Sequence, residues 1–155
     1  MLELLAPAGN LDAVIAAVQN GADAVYMGFG DGFNARRSAD NFTRESFAKA
    51  VRYCHIRGCK VYVTLNTLVG DREMDAAAAL AQQASDAGAD AILVQDLGLA
   101  RVLRAALPDI PLHASTQMSI HNLAGVEAAA EMGITRAVLA RELSLEQIRF
   151  ISQHA

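Results

Sequence analysis

The 155-residue sequence lacks several features that would assign a class of protein at once. No apolar stretch approaches the length of a membrane-spanning helix, and the first ten residues carry no lysine or arginine of a secretory signal. Lysine and arginine total 13 against 17 acidic residues, so the net charge is −4 and the basic surface of a stand-alone nucleic-acid binder is missing. We therefore expect a cytoplasmic protein without membrane contact, in which any basic RNA-binding surface belongs to another part of a larger protein.

Cysteine is also scarce, and the common catalytic motifs are missing. Cys54 and Cys59 lie five residues apart, which cannot supply a four-ligand metal site, so we interpret both as packing residues. The sequence has no G-x-G-x-x-G leading into a helix, no G-x-S-x-G and no H-E-x-x-H. No metal site is predicted, no cofactor is assigned to this chain, and its catalytic residues stay unassigned.

What the chain has instead is a repeated pattern of helix, glycine and short apolar strand. Gly21, Gly58, Gly88 and Gly133 each precede an apolar run, where a helix end needs a left-handed residue. The pattern predicts six β–α units, which start near Leu2, Ala22, Lys60, Ala89, Ile110 and Thr135.

Strict alternation of strands and helices indicates parallel strands, which leaves two architectures open. One is a doubly wound open sheet, and the other is a TIM-type (β/α)8 barrel, which typically needs about 250 residues. At 155 residues, the chain holds about six of the eight units. We predict an α/β, TIM-barrel-like fold in which residues 1–155 form a single partial barrel.

The barrel is favoured because polar residues end the strands on one face. Counting every second residue places Tyr62, Thr64 and Asn66 on one face of the third strand. The same count gives Ala91, Leu93 and Gln95 on the fourth, His113, Ser115 and Gln117 on the fifth, and Ala137, Leu139 and Arg141 on the sixth. In a barrel these polar tips meet at the mouth, where ligands bind. The candidate substrate-binding residues are Asn66, Gln95, His113, Ser115, Gln117 and Arg141, with Arg36 in the loop above them; Arg141 suits a carboxylate or phosphate.

Seven segments along the chain resemble the N-terminal part of the peptidase U32, or collagenase-like protease, family. They are ELLAPAGN (3–10), GADAVYMG (21–28), NAR (34–36), VYVTLNTLV (61–69), VQDLG (94–98), LHASTQM (112–118) and LARELSLEQI (139–148). The resemblance implies a TIM barrel. It also implies either proteolysis or oxygen-independent hydroxylation of RNA bases or ubiquinone precursors, with a [4Fe-4S] cluster on cysteines and prephenate as the oxygen donor proposed for some members.

Cys54 and Cys59 do not match the cluster ligands that the resemblance implies, since those cysteines lie further along in the family. We expect this chain to be the N-terminal barrel portion of a longer U32-type protein, inactive alone and partnered by the rest of that protein. Three functions stay open: a hydroxylase acting on RNA or a small aromatic substrate, a collagenase-like peptidase, and a non-catalytic binding module. Because a partial barrel leaves two strand edges exposed, we also expect the chain to form homo-oligomers.

Overall fold

Six parallel strands alternate with six helices in the described part of the chain. The structure, a computed structural model, describes residues 2–30, 32–35 and 41–155. The strands are β1 (Leu5–Pro7), β2 (Ala24–Met27), β3 (Lys60–Leu65), β4 (Ala91–Val94), β5 (Leu112–Ala114) and β6 (Ile134–Ala137). The helices are α1 (Leu11–Gln19), α2 (Arg44–His55), α3 (Met74–Asp86), α4 (Leu97–Ala106), α5 (Leu123–Glu131) and α6 (Leu145–His154), with a 3-10 turn at Thr116–Met118.

The order of the strands identifies the architecture. All six form one sheet in the order β1-β2-β3-β4-β5-β6, and every neighbouring pair is parallel. A doubly wound sheet reverses its strand order at a switch point, whereas a TIM-type barrel adds each strand next to the previous one. The prediction of a TIM-barrel-like fold with six β–α units is therefore confirmed.

The repeated glycines and polar caps explain where the helices begin and end. All four repeat glycines have φ between +71° and +97°, a conformation that a residue with a Cβ atom adopts only with strain. At Gly133, an added Cβ would also lie 2.5 Å from Arg104 Cδ. Side chains cap the start of every described helix except α3. For example, Asn122 Oδ1 accepts from the Gly125 amide at 2.7 Å, and Ser144 with Gln147 forms a capping box at α6.

The apolar core lies in two layers. Two large clusters fill the space between the sheet and the outer helices, and they contain residues such as Val14, Phe47 and Leu103. A smaller cluster lies on the inner face of the sheet and includes Ala24, Tyr62 and Leu93. The inner face predicted for β3 and β4 therefore agrees with the structure.

The prediction for the sixth strand is wrong in its phase. Ala137 and Leu139 pack against the outer cluster with the helices, whereas Val138 and Ala140 face the barrel mouth. The cause is a β-bulge: Leu112 pairs with Ile134, but the next residue, His113, pairs with Arg136. The extra residue shifts the alternation by one position, which exchanges the two faces of the strand beyond it.

The fifth strand is shorter than predicted. It ends at Ala114, and the chain then turns into the 3-10 helix, where the Ser115 side chain accepts from the Gln117 amide. Gln117 therefore lies on a turn rather than on a strand. None of the helices in the described part of the chain combines the length and apolar character needed to cross a bilayer.

Candidate functional site

A cavity of about 450 Å³ opens at the carboxyl ends of the strands, and we call it the mouth cavity. Its polar lining consists of Thr64, Asn66, Ser115, Thr116, Gln117, Ser119, Arg141 and Glu142. Four of the seven predicted substrate-binding residues, Asn66, Ser115, Gln117 and Arg141, therefore meet around one cavity. The carboxyl ends of parallel barrel strands are where active sites lie in proteins of this architecture.

Asn66 ties the loop that follows β2 to the opposite wall of the cavity. Its Oδ1 accepts a hydrogen bond from the Ala35 amide at 3.1 Å, and its Nδ2 donates to Ser115 Oγ at 3.3 Å. Ser115 Oγ also accepts from the Gln117 amide at 3.3 Å. Both ends of the Asn66 amide are thus engaged within the protein, so Asn66 holds the shape of the cavity.

Arg141 and Gln117 differ from Asn66 because their side chains have no partner among the described residues. Neither side chain forms a hydrogen bond or ion pair with residues 2–30, 32–35 or 41–155, and both residues are exposed. A guanidinium can hold a carboxylate or phosphate through two parallel hydrogen bonds. The mouth cavity therefore offers a ligand one cation and one amide, beside the carboxylate of Glu142, which also lines it.

His113 lies one layer deeper than the mouth cavity and does not line it. Its side chain is buried, and its ring meets the Tyr62 ring edge-on with the two centroids 4.9 Å apart. Burial, reinforced by the nearby positive charge of Arg136, lowers the pKa of His113 to about 4. The imidazole is therefore neutral at pH 7, and the structure places it in the barrel interior.

A charged network that the sequence reasoning missed surrounds this deeper layer. Glu3, which precedes β1, forms an ion pair with Arg136 on β6, and the Tyr62 hydroxyl donates to Glu3 Oε2 at 3.0 Å. The hydrogen bond from Arg136 is the main cause that lowers the pKa of Glu3. Burial, together with the hydrogen bond to Glu3, raises the pKa of Tyr62 to about 12. This network joins the two edge strands of the sheet. Arg136 could have been found only by locating the bulge in β6.

The remaining predicted residues have different placements. Gln95 follows β4, is half-buried and is not among the residues that line the mouth cavity. Arg36 lies outside the described residues. Tyr26, which was not predicted as a site residue, lines the cavity from β2; it lies on the inward face beside Tyr62, and alternation along that strand could have revealed it.

The described residues do not fit an iron–sulfur cluster. Cys54 and Cys59 are both buried, and burial raises the pKa of both thiols, that of Cys54 to about 12, so neither favours the thiolate that a cluster binds. Within the described parts of the chain, no group of three or more histidine, cysteine, aspartate or glutamate side chains could hold a metal ion. The interpretation of both cysteines as packing residues agrees with their burial.

Parallel strands in sequential order, with a polar cavity at their carboxyl ends, define a barrel protein of the kind that binds a ligand at its mouth. Comparison with known sequences then identifies the family. Residues 9–155 match peptidase family U32, and the chain belongs to that family.

Relatives named for different functions have sequences similar to this chain. The chain is 43% identical over 152 residues to the 23S rRNA 5-hydroxycytidine C2501 synthase of Escherichia coli, covering 98% of this chain and 22% of that protein. It is 41% identical over 147 residues to the tRNA hydroxylation protein P1 of Bacillus subtilis, covering 95% of this chain and 35% of the relative. A protein of Porphyromonas gingivalis named collagenase is 35% identical over 152 residues, with 97% of this chain and 36% of that protein covered.

A solved structure supports the fold. The U32 peptidase Mk0906 superimposes with a TM-score of 0.80 over 100% of this chain and 66% of its own, at 16% sequence identity. At that identity, the likeness bears on the fold alone. The chain spans only 22–36% of the length of the three curated relatives described above.

Proposed function

We propose that this chain forms the substrate-facing portion of a U32-type enzyme that hydroxylates a base in RNA, with the mouth cavity as the substrate site. The observation that carries the proposal is the mouth cavity, which Arg141 and Gln117 line. The chain is also 41–43% identical to two proteins named for RNA hydroxylation.

The charge of the chain limits what this portion does. With a net charge of −4 it lacks the basic surface that binds the phosphate backbone of a long RNA. We propose that the cavity takes up the reacting base while other parts of the enzyme hold most of the RNA. The chain alone is then expected to bind a ligand without converting it.

The redox chemistry of a hydroxylation also needs groups beyond those described. An iron–sulfur cluster of the kind that the family resemblance implies would need cysteines other than Cys54 and Cys59, since both are buried in the apolar core. We therefore assign no redox step to this chain, and its own residues bind, orient and enclose the substrate.

Peptide hydrolysis is the second candidate, because a 35% identical relative is named collagenase. The described residues give it little support. Ser115 Oγ accepts hydrogen bonds from Asn66 and from the Gln117 amide, and no histidine among the described residues is hydrogen-bonded to it. An activated serine needs such a base within hydrogen-bond reach. A non-catalytic binding module is the third candidate and would use the same cavity.

The test is deletion of the gene followed by mass spectrometry of nucleosides from purified rRNA and tRNA. We expect a hydroxylated nucleoside to disappear and to return when the gene is restored. Unchanged nucleosides in both RNA classes would refute the proposal. Peptide cleavage by protein purified to homogeneity, lost with the gene, would favour hydrolysis instead.

A further inference from the structure

The mouth cavity is lined by apolar as well as polar residues. Leu5, Tyr26, Leu93 and Val138 line it from four different strands or strand ends, and the Tyr26 ring provides the aromatic surface. Aromatic rings of this kind are stacking surfaces for nucleic-acid bases, and apolar side chains can cover the other face of a base. The apolar part of the lining therefore suits a flat ring.

The polar part of the lining suits the edges and the charge of the same ligand. Gln117 can donate and accept hydrogen bonds at once, as the edge of a base requires. Arg141 supplies a positive charge in the same lining and forms no ion pair with the residues that the structure describes, including the neighbouring Glu142, which also lines the cavity. Ser115, Thr116 and Ser119 also line the cavity, and their hydroxyl groups suit a sugar.

The size of the cavity limits the ligand to one residue of a polymer. Pockets for small ligands have volumes of about 300–1,000 Å³, and the mouth cavity of about 450 Å³ lies at the lower end. A stacked or double-stranded segment cannot enter such a space, so a base must leave its stack to reach it. By the same argument, the cavity is too small to hold several residues of an extended peptide.

We propose that the mouth cavity binds a single unstacked nucleotide, with its base against Tyr26, its base edge at Gln117 and its phosphate at Arg141. This inference rests on the proposed function and deepens it by assigning a role to each residue. Asn66 acts as a positioning residue, since its two hydrogen bonds connect Ala35 to Ser115 across the cavity.

The probes are uridine and cytidine, their 5′-monophosphates and benzoate, titrated into the ¹⁵N-labelled protein while amide shifts are followed by NMR. We expect the monophosphates to bind about 10-fold more tightly than the nucleosides, since hydrogen bonds to charged groups have this strength. The shifted amides should lie around Gln117 and Arg141. Benzoate carries a flat ring and an anion without a sugar or base edge, and we expect it to bind more weakly than the nucleotides.

Two pairs of variants test the assignments. Arg141→Ala should abolish the preference for the monophosphate, whereas Arg101→Ala, an exposed arginine on α4 outside the cavity, should leave it unchanged. Tyr26→Leu should weaken nucleotide binding at least about fivefold, whereas Tyr26→Phe keeps the stacking ring and should retain it. The dispersion of the amide spectrum verifies that each variant is folded.

Three results would overturn the inference: no nucleotide binding, shifts located away from the cavity, or an unchanged preference for phosphate in folded Arg141→Ala. Tighter binding of benzoate than of nucleotides would replace it with a small aromatic carboxylate as the ligand. These outcomes are separable from the proposed function, because the deletion experiment measures RNA modification without reference to this cavity. Loss of the modification on deletion, together with normal modification by Arg141→Ala and Tyr26→Leu, would uphold RNA hydroxylation and reject the nucleotide site.

Discussion

Lowering the pH should destabilise the folded chain through one buried side chain, His113. The side chain is 5% exposed, next to Tyr62 and close to the positive charge of Arg136. Burial first and that charge second lower its pKa from 6.5 to about 4. The folded chain therefore resists protonation that the unfolded chain accepts readily.

The sign and size of the effect follow from the two pKa values. Between them the unfolded chain binds more protons than the folded one, so the free energy of unfolding falls as the pH falls. Each pKa unit corresponds to about 1.36 kcal/mol, which gives a loss of about 2 kcal/mol between about pH 7 and about pH 4.5. The pKa of Glu3 is lowered from 4.5, so this carboxyl group loses its contribution only at lower pH, outside the window.

Urea denaturation at several pH values across this window measures the effect. The variant His113→Phe keeps a ring against Tyr62 but cannot be protonated, so its stability should stay nearly constant across the same range. His121→Gln is the control, because His121 is exposed and lies outside the barrel interior. If folded His113→Phe lost as much stability as the wild type on acidification, the reasoning about His113 would be refuted.

Three further predictions concern the network, the loop contact and the strand edges. Glu3→Gln should lower the free energy of unfolding, measured by urea denaturation, by about 1 kcal/mol, since its ion pair is only partly exposed. Glu45→Gln, in an exposed pair, should leave it almost unchanged, and equal losses in the two variants would contradict this. Asn66→Ala should lower the free energy of unfolding by about 1–2 kcal/mol and speed hydrogen exchange at the Ala35 amide, whereas Gln95→Ala should do neither. Unchanged exchange at Ala35 would reject the positioning role of Asn66. The chain should self-associate through its edge strands β1 and β6 in light scattering after gel filtration, and a monomer at high concentration would contradict that.

The candidate site could be predicted in part because alternation along a regular strand is a local property. Tyr62, Thr64 and Asn66 face inward as the two-residue period requires, and Ser115 reaches the same cavity. The predicted alternation was wrong for β6, where the bulge depends on pairing with a neighbouring strand. Gln117 lines the cavity, but it was wrongly placed on a strand, since the Ser115 side chain starts a turn there. Arg141 still reaches the cavity because it lies in the turn that follows Ala140, where alternation no longer applies.

The sequence by itself determined the six β–α units, since apolar periodicity and the four repeat glycines act within a few residues of the chain. The family resemblance it carries was confirmed by the match over residues 9–155. Only the tertiary structure decided that Glu3 meets Arg136, 133 positions away, and that Asn66 joins Ala35 to Ser115. Such contacts depend on the curvature of the sheet and on the register between strands. Both bring together side chains that lie far apart along the chain, so sequence spacing does not predict that they meet.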